Sequence, residues 1–136
     1  MAESNQRTVR ILSILSAIFL IVTGGIHLFL VFNGTGGILG VAFILNAIAG
    51  VVLGIAMLVV KGRLLQLTSL LSLLFLIATL GALLLALTVG LFGITQSWDG
   101  FLVPQTVIIE SIGIVVLAIT TAVVLRVPRS APQTTS

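Results

Sequence analysis

Four long apolar runs, at about 11–32, 38–60, 64–93 and 105–126, limit what this chain can become. A helix needs about 20 apolar residues, at about 1.5 Å each, to cross the roughly 30 Å hydrocarbon core of a bilayer. Every run meets that length. The six basic residues are Arg7, Arg10, Lys61, Arg63, Arg126 and Arg129, and all fall at the same side of the runs. The connectors 33–37 and 94–104 contain neither Lys nor Arg. Basic residues near span ends stay on the cytoplasmic side. The pattern therefore predicts an all-α integral membrane protein, an antiparallel up-down-up-down bundle of four transmembrane helices. Both termini are expected in the cytoplasm, N-in and C-in.

Composition agrees. Of 136 residues, 59% are hydrophobic and 7% charged, more apolar surface than a soluble domain of this size can bury. The sequence pI near 11.4 does not point to nucleic acid. It reflects six basic against three acidic residues, with the basic ones spread as topology markers. Their expected partners are membrane lipids, at about 1 kcal/mol per residue near anionic headgroups. Cysteine is absent, which removes disulfides, thiolate catalysis, iron–sulfur clusters and Cys-based zinc sites.

The division expected is a cytoplasmic tail 1–10, a transmembrane domain 11–126 and a second cytoplasmic tail 127–136. The first run is too long for the apolar region of a signal peptide, about 7–15 residues, and no A-x-A-like site follows it. Asn33-Gly34-Thr35 fits the N-glycosylation pattern but reads as a chance match close to the membrane. Connectors 33–37 and 61–63 are short, which makes sequence neighbours pack antiparallel. The third run would extend roughly 45 Å as one helix, so it either tilts strongly or unwinds at Gly90 to Gly93. Pro104 suits the start of the fourth helix, and Pro128 and Pro132 forbid its continuation. The connector 94–104 carries Trp98, Asp99 and Phe101 as an outer cap. An ordinary aromatic belt at the interface is the alternative.

Polar residues inside the runs mark where chemistry could lie. His27, Asn46, Glu110 and Thr88 all fall roughly 8–12 Å below the outer boundary at 1.5 Å per residue. They are the candidates for ligand binding or proton exchange, because ionisable groups within spans face the bundle interior or a wet cavity. His27 and Glu110 are expected to face each other, with Asn46 beside them. Stripes at helical spacing support inward faces. They are Ser13, Ser16, Thr23 and His27; Ala42, Asn46, Gly50 and Gly54; Ser69, Ser72 and Thr79; and Thr106, Glu110, Gly113 and Thr121. Gly50, Gly54 and Gly113 read as helix-packing positions. Residues 44–53 also run beside 108–117, aligning Asn46 with Glu110, so duplication of a helical hairpin and mere likeness of apolar helices both stand.

No catalytic or metal-ligating set is visible, and no P-loop or H-E-x-x-H motif. Three function classes follow. The first is a non-enzymatic structural or accessory subunit of a membrane assembly, with other membrane subunits or further copies of itself as partners. The second is a small transporter or lipid/quinone-binding protein using His27, Asn46 and Glu110. The third carries a haem or chlorophyll-type ring with His27 as axial ligand, although no cofactor is required.

Gly25-Ile26-His27-Leu28-Phe29-Leu30, Phe43-Ile44-Leu45-Asn46-Ala47 and the later Glu110 resemble uncharacterised small four-span membrane proteins of bacteria and archaea. In outline the chain is also similar to DoxX-like four-helix bundles. The resemblance implies a prokaryotic inner (plasma) membrane and carries over no reaction.

Overall fold

The computed structural model describes residues 2–127 and is all-helical, with α1 Ala2–Phe32, α2 Gly37–Val59, α3 Arg63–Thr88 and α4 Val103–Arg126. All four helices are long and apolar enough to cross a membrane. Arg129, Pro128 and Pro132 lie outside the described residues.

Breaks fall where the chain can adopt left-handed backbone. After α1, Gly34 has φ 106°. Gly34 N–H bonds Val31 O at 3.1 Å and Thr35 N–H bonds Leu30 O at 3.1 Å, the paired bonds of a Schellman cap. Asn33 Nδ2 adds a bond to Phe29 O at 2.8 Å. The run expected at 64–93 ends earlier, at Thr88, by unwinding rather than by tilt alone. Phe92 and Gly93 both have positive φ, 52° and 76°, at the centre of a tight turn closed by Leu91 and Ile94. Pro104 lies in the first turn of α4, as its fixed φ favours.

Residues 2–10 are helical and continuous with α1. Nothing between Glu3 and Arg10 is Gly or Pro, so no residue there halts the helix.

The helices close a ring, α1 against α2, α2 against α3, α3 against α4, and α4 back against α1. The α1–α2 pair is the most intimate and α2–α3 the loosest. Glycine sets the first. A Cβ on Gly50 would lie 2.7 Å from Leu20 O and 3.2 Å from the Gly24 backbone, and one on Gly24 would lie 3.0 Å from Ala47 O. Gly113 makes room for Leu76 and Phe19 in the same way, with Leu76 Cδ1 2.9 Å from where its Cβ would be. The expected packing role of Gly50, Gly54 and Gly113 thus corresponds to real close approaches. Leu20, Leu76 and Leu117, each 0% exposed, form the apolar centre. Large apolar side chains face outward along the helices, among them Val52, Leu74 and Val115, and suit lipid.

A buried hydroxyl cluster flanks this leucine centre towards the Arg126 end of α4. Ser16 Oγ and Thr120 Oγ1 lie 2.9 Å apart across the α1–α4 contact. Ser69 Oγ donates to Leu65 O at 2.8 Å. Of these, the Ser16–Thr120 bond joins two helices, worth about 0.6 kcal/mol between membrane helices, while the Ser69 bond stays within α3.

Candidate functional site

The loose α2–α3 contact opens into a cavity of about 540 Å³ at the end of the bundle that carries residues 89–102. His27 of α1, Asn46 and Phe43 of α2 and Thr79 of α3 reach its wall, and Thr106 of α4 joins them. The connector closes one side with Gln96 and Phe101. Gln96 is held there because its N–H bonds Ala86 O at 2.8 Å. The lining is mostly apolar, with a few polar groups, the usual make-up of a small-molecule site.

Each polar side chain is oriented by its own helix. His27 is 7% exposed. Its Nδ1 donates to Thr23 O at 2.8 Å, since a carbonyl can only accept. In a neutral ring Nε2 is then left as an acceptor. The Phe43 ring meets the imidazole edge-on at 4.9 Å. Thr79 Oγ1 donates to Phe75 O at 2.8 Å, so its one proton is committed. Asn46 must therefore donate to it, and Nδ2 does so at 2.9 Å. The Asn46 Oδ1 atom is buried without a partner.

Glu110 is 0% exposed, and neither carboxyl oxygen has a hydrogen-bond partner. It does not reach the cavity wall. Packing fixes its level. Gly113 of α4 meets Leu76 of α3 and Phe19 of α1. One turn nearer the cavity, these helices bring Glu110, Thr79 and Thr23 to similar depth. Thr23 Oγ1 is also buried and unpartnered.

The expected pairing of His27 with Glu110 is corrected. No hydrogen bond or ion pair joins them, because His27 Nδ1 is engaged by Thr23 O and both Glu110 oxygens are unpartnered. Asn46 instead bonds α3. Thr88 also stands apart. It is exposed, and its hydroxyl turns back to Leu84 O at 2.8 Å, so equal depth did not put it on the inner face. Of the outer cap, Phe101 lines the cavity and lies 6.1 Å from Phe29 between ring centres. Trp98 is exposed and does not reach the cavity. Asp99 is exposed and accepts from the Ser97 hydroxyl, which holds its carboxyl below the usual range.

Sequence reasoning missed Phe43, Gln96 and Thr79 as site residues. Thr79 carried a signal, its place on the polar stripe of the third run. Phe43 and Gln96 carried none, because one is an apolar residue in an apolar run and the other a loop amide. Among the described residues no three His, Asp or Glu converge as metal ligands.

Comparison with protein-family models, with curated proteins and with solved structures returned no match. Fold and site together define a class, a bundle of four apolar, membrane-length helices with a polar-edged cavity at one end.

Proposed function

We propose that this chain is a multi-pass membrane protein that binds a small amphipathic molecule, of lipid or quinone type, in the cavity beside His27 and Asn46. The observation that carries this reading is the cavity itself, about 540 Å³ and mostly apolar, with an unpartnered buried Asn46 Oδ1 at its wall. An apolar body would fill the space, and a hydrogen-bonding head would satisfy the amide oxygen. A phenylalanine in place of Ala82, on the wall, is expected to occupy this space. Native purification from membranes should recover a retained lipid or quinone with the native chain and lose it with Ala82→Phe. Equal retention by both would reject the cavity as the site. Stoichiometric co-purifying proteins without any retained small molecule would favour the accessory-subunit reading instead.

The bundle is proposed to be antiparallel, with both termini in the cytoplasm of a bacterial or archaeal cell and the cavity opening outward. Support comes from the contact of Gln66 with Val124, which links the start of α3 to the end of α4, and from Ser16 in the middle of α1 meeting Thr120 in the later half of α4. The one-sided Lys and Arg pattern supports the orientation. Reporter fusions after Gly62 and after Val127 should both read cytoplasmic, and one after Asp99 external. An internal signal at Asp99 would overturn the topology.

A further inference from the structure

Glu110 has no role in the reading above, and its situation needs an explanation. A fully buried carboxyl with both oxygens unpartnered is costly, because desolvation is not offset by any hydrogen bond. It belongs to a group of the same chemical kind. Asn46 Oδ1 can only accept, and it too is buried without a partner. His27 commits its Nδ1 proton to Thr23 O, leaving Nε2 as an acceptor in the neutral ring. The Thr23 hydroxyl is unpartnered at the same depth. The end of the cavity nearest the leucine centre therefore has more unpartnered acceptors than free donors: the Thr79 proton and one Asn46 Nδ2 proton are engaged, and the Thr23 hydroxyl can donate one bond.

We propose that Glu110, with Asn46 and His27, receives the ammonium head of an amphipathic primary amine whose apolar chain fills the cavity. This rests on the cavity reading and names the chemistry of its ligand. An ammonium group supplies three donors and one positive charge, matching unpartnered acceptors and one carboxylate. A quinone carbonyl donates nothing, and an alcohol offers a single donor and no charge to balance a carboxylate. The reach is adequate. Glu110 lies one turn beyond Thr106, which lines the cavity, a step of about 6 Å along the helix. A rotated glutamate side chain and one hydrogen bond cover that step. Leu20, Leu76 and Leu117 close the bundle beyond this level, so the amine stops there. Among the described residues, His27 and Glu110 are the titratable groups in the cavity half of the helices, so no Lys or Arg competes for the carboxylate.

The test uses the full chain in phosphatidylcholine nanodiscs, with equilibrium binding of radiolabelled dodecylamine and dodecanol corrected for partition into empty discs. The native chain should bind both saturably and prefer the amine. Glu110→Gln keeps the shape and one acceptor oxygen, exchanges the other for an NH2 donor and removes the charge. It should weaken dodecylamine about tenfold or more while dodecanol stays unchanged. Ala82→Phe should weaken both probes. If Glu110→Gln leaves the amine preference intact while Ala82→Phe removes binding of both, this proposal fails and the cavity reading survives. If neither probe binds the native chain saturably, both fail. Since Glu110 makes no hydrogen bond, the Gln variant is expected to fold, and unchanged dodecanol binding verifies that it has. Adding phosphatidylethanolamine to the discs separates sources of the amine. Competition with dodecylamine makes the natural ligand an amine-headed lipid, and no competition makes it a free apolar amine.

Discussion

Gly50→Ala is expected to destabilise the bundle by about 1–3 kcal/mol, measured by unfolding in mixed micelles, whereas Gly25→Ala leaves stability unchanged or slightly raised. Both substitutions add a single methyl group within or beside the α1–α2 pair. At Gly50 that methyl meets Leu20 O at 2.7 Å and Gly24 Cα and N at 3.2 Å. All three are backbone atoms of the facing helix, so no rotamer change relieves the clash and α1 must move as a body. Separation of the helices also loosens the Gly24 contact with Ala47, where a Cβ would be 3.0 Å from the carbonyl oxygen. At Gly25 nothing lies within 4 Å of the added carbon. There the only change is the intrinsic preference of a helix for Ala over Gly, up to about 1 kcal/mol. Equal stability of the two variants would mean that α1 and α2 do not touch at Gly50.

Glu110→Leu is expected to raise stability by about 1–3 kcal/mol, the desolvation cost of leaving a polar group unpaired. The carboxyl is 0% exposed with both oxygens unpartnered, and leucine fills a similar volume without a polar atom. The same experiment distinguishes this arrangement from a His27–Glu110 pair. With a pair, removing Glu110 would strand a buried partner and lower stability. Without one, the gain should be the same in native and His27→Ala backgrounds, adding within about 0.5 kcal/mol. A loss of stability, or strong coupling between the two sites, would mean that His27 and Glu110 are paired after all. A gain would also mean that Glu110 is kept at the expense of stability, as expected of a ligand-binding group.

Local signals in the sequence carried the helices themselves. Runs of Leu, Ile and Val at membrane length have one stable backbone solution in lipid, where every N–H and C=O must bond within its own helix. Gly34, Gly62 and Gly90, all with positive φ, mark the breaks because few other residues enter left-handed backbone cheaply. Inward faces were legible too. Ser13, Ser16, Thr23 and His27 recur at helical spacing and are all buried, since a polar group facing lipid would have no partner. The same logic failed for Thr88, whose hydroxyl bonds the carbonyl of its own preceding turn. Threonine satisfied in that way tolerates an outward position.

Depth along each helix is a one-dimensional quantity, and counting residues supplied it. Azimuth and register between helices are not. Counting gave His27, Asn46 and Glu110 similar depth, whereas packing puts Glu110 level with Thr23, one turn from His27, and rotation of each helix decides which groups meet. That rotation is set by Gly50 against Leu20 and by Gly113 against Leu76 and Phe19, contacts between segments far apart in sequence. They turned Asn46 towards Thr79 and left Glu110 unpartnered beyond the wall of the cavity. The cavity follows from the same cause, because close approach of α1 to α2 leaves α2 and α3 loosely joined at one end. The amino-acid sequence alone determined that the chain would form four apolar helices of membrane length with polar inner faces, since hydrophobicity and backbone hydrogen bonding act locally. Only the tertiary structure decided which polar groups are paired, which are left open and where a ligand would fit, since those depend on side chains brought together by packing between helices.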